Sequence, residues 1–177
     1  MKKLCVIGSL NVDLTIRMPR FHLPGETIFG TDFTTYAGGK GGNQAVATAR
    51  LGADVLMAGR LGSDQYGAFY RDVLRGEGVG DGGVERDATA ATGVALIEVD
   101  ASGENRIVVA SGANQRVDAA QIDRLWPQIA GRDVFLLQLE IPISTVLYAA
   151  RRLREAGKTI ILDPAPAQSE PLPDALL

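Results

Sequence analysis

The stretch "DVFLLQLEIPISTVLYAARRLREAGKTIILD", Asp133 to Asp163, decides the fold class. Its two ends, "DVFLLQLE" and "KTIILD", are nearly unbroken apolar runs, as in strands buried on both faces of a parallel sheet. Between them the spacing predicts a helix that begins at Pro142, a residue suited to a first turn, and stops at Gly157. Strand, helix and strand with short joints form one right-handed βαβ unit. The same rhythm runs upstream. Leu4 to Gly8 and "DVLMAGRLG" from Asp54 read as buried strands, while Gly42 to Leu51 reads as a helix with Ala45, Val46 and Ala49 inward and Gly52 as its stop. Asp64 to Val79 reads as a helix capped by Ser63 or Asp64, and a further helix runs from Asp118 to Ile129.

Two segments break that rhythm. "NVDLTIRM" alternates, which places Asn11 and Asp13 on one face and Val12, Leu14 and Ile16 on the other, and Pro24-Gly25 follows as a turn between two extended pieces. "TGVALIEVDASGENRIVVASGAN" reads as strands at Val94 to Val99 and Arg106 to Ala110 joined by a hairpin loop; with no helix between them, they are antiparallel. The expected architecture is α/β: a mostly parallel sheet with helices on both faces, from residues 1–10, 36–92 and 111–177, plus a small β-sheet lid from residues 11–35 and 93–110.

The chain has 177 residues, 46% hydrophobic and 22% charged, enough to bury the core of one ordinary domain. A net charge of -3 with scattered lysines and arginines offers no basic face for nucleic acid or an anionic membrane. The apolar run in "MKKLCVIGSLNVD" is too short for a signal-peptide core or a membrane span. Cys5, the single cysteine, lies in that run and reads as a buried thiol in a reducing compartment, so the expected location is the cytoplasm.

Ligands of open α/β sheets sit outside the carboxyl ends of the strands. That rule selects Gly8 to Asp13, "GRLGSD" at Gly59 to Asp64, Gln138 to Glu140, and Asp163-Pro164. Asn11 and Asp13, spaced i, i+2, bring an amide and a carboxylate to one small target, which is the equipment for binding a polyol; a turn-forming pair at a strand end is the structural alternative. "GGKGGN", Gly38 to Asn43, is not a phosphate-binding Walker loop, because no Ser or Thr follows Lys40, and Gln44 stands where a dinucleotide fingerprint needs its last glycine. It reads either as a backbone nest at a helix start, with Gly41 and Gly42 letting a ligand touch the main chain, or as a flexible glycine loop. Glu140 is either the far wall of the pocket that Asn11 and Asp13 face or a solvated strand end. Asp163 reads as a cap, "RLGSD" as a structural turn, and His22 as a surface or lid residue.

These residues resemble the PfkB, or ribokinase-like, family of carbohydrate kinases over essentially the whole chain. The strongest match is Gly38-Gly39-Lys40-Gly41-Gly42-Asn43-Gln44-Ala45 followed by Gly52 and Gly62. "GSLNVD", "PGET", "TGVALI", "GEN", "SGAN", "QLEIP" and "DPAPA" support it, and "GAN" with "PAPA" leans toward the branch that phosphorylates ribose rather than fructose or nucleosides. The resemblance implies ATP-dependent phosphorylation of D-ribose to D-ribose 5-phosphate. It also implies Mg²⁺ and ATP as co-substrate, a monovalent cation (K⁺), and a homodimer formed through the lid. By the same resemblance, Asn11, Asp13, Gly39, Lys40, Asn43 and Glu140 hold the sugar. No catalytic residue is expected among these 177, since the family's Gly-Ala-Gly-Asp-like motif and its nucleotide and cation loops would follow Leu177. The chain therefore looks cut short, a sugar-binding half without turnover of its own. Small departures are Gly42, where alanine is common, and Asp163, where asparagine is common. A fructokinase, a deoxyribokinase, a nucleoside kinase or a non-catalytic sugar-binding module are the alternatives.

Overall fold

The computed structural model describes residues 2–173 and Leu176. Its first sheet contains β1 (Lys3–Ile7), β4 (Asp54–Gly62), β5 (Gly80–Asp87), β8 (Val134–Leu137) and β9 (Thr159–Leu162), in the order β5-β4-β1-β8-β9 and parallel throughout. The chain builds outward from β1 in one direction to β4 and β5 and in the other to β8 and β9. The order therefore reverses beside β1, where open sheets of this kind leave a crevice at the strand ends.

Alternation along each strand sorts the side chains into two cores. Cys5, Ile7, Leu56, Ala58, Phe135 and Leu137 pack against Ile122, Leu125 and Ile129 of α3 (Ala119–Ile129) and Val146, Ala149 and Leu153 of α4 (Ile143–Glu155). Val6, Val55 and Met57 point the other way, onto Ala45 of α1 (Lys40–Arg50) and Tyr70 and Leu74 of α2 (Gln65–Gly76). Each fully buried Leu, Ile or Phe contributes roughly 1.5–3 kcal/mol, so the two layers together are the main source of stability. Burial also pushes the Cys5 thiol up to about 12, which keeps it protonated and unreactive.

The second sheet contains β2 (Asn11–Arg17), β3 (Phe33–Gly38), β6 (Gly93–Val99) and β7 (Asn105–Ala110), in the order β3-β2-β6-β7. β2 and β6 are parallel, and the β2–β3 and β6–β7 pairs are antiparallel. The register places Asp13, Tyr36, Ala95 and Val109 in one row and Thr15, Thr34, Ile97 and Ile107 in the next, all on one face. The hairpin expected at residues 94–110 is present with its ends shifted by one residue.

Helix starts follow local chemistry in two cases. Asp64 accepts the Gly67 N–H at 2.8 Å and Asp118 accepts the Gln121 N–H at 2.7 Å, each leading its helix. Asp64 also takes the Thr92 N–H and hydroxyl at 2.8 and 2.7 Å, so the cap of α2 grips the residue from which β6 departs. Burial alone would raise this carboxyl, but the Thr92 and Gly67 hydrogen bonds outweigh it and hold Asp64 below the usual carboxylate range.

Several boundaries differ from the sequence reading, each for a tertiary reason. α1 begins at Lys40 rather than Gly42, because its first N–H groups find partners outside the helix. α2 ends at Gly76 rather than Val79, and β5, unassigned from its "GDGG" start, forms the sheet edge. Its glycines allow a bulge between Leu56 and Ala58; a Cβ on Gly83 would lie 2.6 Å from the Met57 carbonyl oxygen. β8 pairs only to Leu137, after which Leu139 donates to the Ala165 carbonyl at 3.0 Å and the chain peels away from the sheet. The turn at Pro24-Gly25 exists, with Gly25 at φ +78, yet the extended partner of β2 is β3, which runs past residue 35 to Gly38 and straight into α1. In each case a short local pattern yields to a contact made by a distant segment.

Candidate functional site

Gly38 ends β3 and α1 begins two residues later, so the glycine loop lies where both sheets meet. Gly39 has φ +79, a conformation that side chains resist, and a Cβ there would fall 2.7 Å from the Asn11 nitrogen. A Cβ on Gly41 would meet the Ser9 nitrogen and oxygen at 2.6 Å each. Gly42 faces the Tyr70 hydroxyl, which donates to the Gly38 carbonyl. The bareness of Gly41 and Gly42 thus serves close packing within the chain. The expectation that these two glycines open the main chain to a ligand is corrected on that ground.

The helix start is also spoken for. α1 has no side-chain cap of its own. Glu140 Oε2 accepts the Lys40 N–H at 2.9 Å, and the Ser9 hydroxyl oxygen accepts the Gly41 N–H at 3.2 Å while donating to the same Glu140 Oε2 at 2.6 Å. A carboxylate at a helix N-terminus is favoured by the unpaired N–H groups and the helix dipole. The protein's own Glu140 therefore fills the place where an anionic ligand would sit, and of the two readings of the loop neither the open nest nor the flexible glycine run describes it.

Around this junction the structure brings all six sequence candidates together. Asn11, Asp13, Gly39, Lys40, Asn43 and Glu140 line one cavity of 170 Å³, completed by Ala95, Ile97, Ile107 and Val109 from the second sheet. Asn11 is buried and accepts from Asn114 Nδ2 through Oδ1 at 2.8 Å. Asn114, itself 1% exposed, also receives the Leu10 N–H at 2.9 Å and donates to the Leu10 carbonyl at 3.0 Å, which locks the turn from β1 into β2. Asp13 lies over Gly38, where no Cβ could fit. Burial, and then the charge of Glu140 nearby, raise the Asp13 carboxyl above its ordinary range. Burial followed by the Asp13 and Glu140 charges raises the Tyr70 phenol as well.

A second cavity of 590 Å³ shares Asn11, Val109 and Glu140 with the first and is bounded by Ser111, Gln115 and residues 166–169. The small cavity falls below the roughly 300–1,000 Å³ of drug-sized sites, so it suits a molecule of monosaccharide size, while the larger one leaves room for a bulkier neighbour. Two carboxylates, two amides and an ammonium on one side, with Ala95, Ile97, Ile107 and Val109 on the other, match a ligand that has hydroxyls on one face and C–H groups on the other. They do not match a phosphate, which would face Asp13 and Glu140.

Other candidates stand elsewhere. His22 lies 3.7 Å from Glu98, beside the second sheet. Arg60 is held by Gln121 and Glu85 at 3.1 and 2.9 Å, a structural role. Asp163 accepts from Gln44 at 3.2 Å, and Gln44 in turn accepts from buried Gln138 at 2.5 Å, which ties α1 to the ends of β8 and β9. Among the described residues no group of three or more His, Cys, Asp and Glu is placed to share a metal ion. Sequence reasoning placed Ser9 and Gln138 in segments at the strand ends but gave neither of them, nor Asn114 or Gln44, an individual role.

The family model for pfkB family carbohydrate kinases matches residues 1–177. The chain belongs to the pfkB family. It is 43% identical to the ribokinase of Haemophilus influenzae over 167 residues, which is 94% of this chain and 55% of that protein. It is 42% identical to the ribokinase of Bacillus subtilis over 168 residues, 95% of this chain and 57% of the relative. A solved Arabidopsis thaliana ribokinase complexed with ribose and ATP superposes with a TM-score of 0.90 at 33% identity, covering 99% of this chain and 57% of that one. The chain thus spans a little over half the length of these pfkB relatives, and the described sheets with their flanking helices are a pfkB fold.

The electrostatics of Asp13 set a pH dependence. Its folded-state value lies above its ordinary 3.8, so the charged form costs stability as the pH rises through that range, and the cost is absent below it. Asp13→Asn is expected to melt at a higher temperature than the unsubstituted chain near neutral pH, with the difference shrinking as the pH falls toward 4. Thermal unfolding followed across that range checks this, and a difference that did not change with pH would contradict it.

Proposed function

We propose that the protein carrying this chain is an ATP-dependent kinase of D-ribose, transferring the γ-phosphoryl group to the 5-hydroxyl, and that this chain supplies the sugar-binding half. The carrying observation is the small cavity where Asn11, Asp13, Lys40, Asn43 and Glu140 meet an apolar wall beside a larger cavity at the strand ends. Identity above 40% to ribokinases and likeness to a ribokinase holding ribose and ATP support the choice of sugar and co-substrate.

Phosphoryl transfer rests mostly on positioning and electrostatics. In this reading Asp13 accepts two neighbouring sugar hydroxyls, Asn11 and Asn43 give and accept alongside it, and Lys40 donates to the ring or a hydroxyl oxygen. Ile107 and Val109 exclude water from the C–H face. The hydroxyl to be phosphorylated then points toward the larger cavity, where the triphosphate would arrive. Mg²⁺ and a monovalent cation would accompany the nucleotide, but among the described residues no group of three or more His, Cys, Asp and Glu is placed to hold either, so no step is drawn through these ions. Residues beyond this chain would supply the catalytic aspartate. The reading includes a cytoplasmic location, consistent with a single, buried cysteine.

A homodimer through the second sheet belongs to the same reading. β7 is an edge strand exposed along its length, with Val108 68% exposed, and an apolar edge of this kind is a template for a second copy. Sedimentation at micromolar concentration is expected to show a dimer that Val108→Glu dissociates; a monomeric unsubstituted protein would remove this element.

Asp13→Ala is expected to raise the KM for D-ribose of the whole protein by roughly tenfold to a hundredfold, as for loss of about 1.5–3 kcal/mol of hydrogen bonding to a charged group. D-Fructose and 2-deoxyribose, assayed alongside, should be poorer substrates of the unsubstituted protein. An unchanged ribose KM in a folded Asp13→Ala protein would take Asp13 out of the site.

A further inference from the structure

Ser9 is fully buried, yet it carries a hydroxyl. Buried hydroxyls cost stability unless paired, and this one is paired on both sides: it donates to Glu140 Oε2 at 2.6 Å and accepts the Gly41 N–H at 3.2 Å. Ser9 lines neither cavity. Whatever it does for a ligand it does through Glu140.

Both donors to Glu140, the Ser9 hydroxyl and the Lys40 N–H at 2.9 Å, converge on the same oxygen, Oε2. Oε1 has no protein donor among the described residues and is the oxygen left to the cavities that Glu140 lines. A glutamate free to rotate would have to be ordered by its ligand, at a cost in side-chain entropy. Two hydrogen bonds to an ionised group, each stronger than a neutral pair, set the rotamer beforehand. The arrangement depends on Gly41, since a Cβ there would clash with the Ser9 backbone and push the helix start away from the hydroxyl.

We propose that Ser9 is a positioning residue for the sugar site: it holds Glu140 by Oε2 so that Oε1 faces the sugar. The proposal rests on the sugar-kinase reading above, and it adds that binding strength is set partly by a residue that does not touch the ligand.

The test is a double-mutant cycle on the whole protein, with Ser9→Ala, Glu140→Gln and the pair, reading kcat and the KM for D-ribose at saturating ATP. Ser9→Ala is expected to raise the KM by about tenfold, the scale of one charge-assisted hydrogen bond, with kcat changed by less than about threefold. In the Glu140→Gln background the same substitution should change the KM by less than about twofold, since there is no carboxylate left to aim. Ser9→Cys, of similar size and with a weaker donor, should fall between serine and alanine, and it serves as the test if the alanine variant does not fold. A KM unmoved by Ser9→Ala or Ser9→Cys while Glu140→Gln raises it, or full multiplication of the two single effects in the pair, overturns the positioning role and leaves the sugar reading intact. If Glu140→Gln itself leaves the ribose KM unchanged, the sugar contact of Glu140 fails, and this proposal with it.

Discussion

One carboxylate oxygen, Glu140 Oε2, joins three parts of the chain. It is reached by the Ser9 hydroxyl after β1 and by the Lys40 N–H at the head of α1, and it belongs to the segment that peels off β8. α1 has no side-chain cap of its own, so without this contact the Lys40 N–H would lose its partner. The contact also fixes where Lys40 and Asn43, one turn apart, stand relative to Asn11 and Asp13 on β2. The glycines of the loop follow from the same constraint. Gly39 and Gly41 are the positions at which a Cβ would hold the helix start away from Ser9 and Asn11.

Placing that carboxylate near Asp13 has an electrostatic consequence. Two negative groups and a buried phenol share a small volume, and Asp13 is raised by burial and by its neighbour's charge. The free site is therefore poised for hydroxyl donors and an ammonium rather than for phosphate. Stability and binding pull in opposite directions here, as is usual where charge is buried for a ligand. The apolar rows of the second sheet, Ala95 with Val109 and Ile97 with Ile107, complete the wall.

Much of this was legible in the sequence because it is local. The apolar runs of β1, β4, β8 and β9 announce a parallel sheet, the alternation of Asn11 to Arg17 gives the facing of Asn11 and Asp13, and Asp64 and Asp118 mark helix starts by their own hydrogen bonds. What stayed hidden depends on partners far along the chain. α1 starts early because Glu140, a hundred residues on, supplies its cap. β5 forms from a glycine-rich segment because β4 offers it an edge and a bulge. Ser9 and Asn114 look like loop residues until folding places one under Glu140 and the other between Leu10 and Asn11. Spacing alone left the glycine loop open as a backbone nest or a flexible loop; the fold gives its helix start the carboxylate of Glu140.

The account stands on Glu140 presenting one oxygen inward to the fold and the other to a sugar. A crystal structure of the protein with D-ribose tests this most directly. The expected result is sugar hydroxyls within hydrogen-bond distance of Asp13 and of Glu140 Oε1, with Oε2 still bonded to Ser9 and the Lys40 N–H. Ribose bound away from these residues, or Glu140 released from Ser9 to grip the sugar with both oxygens, would contradict it.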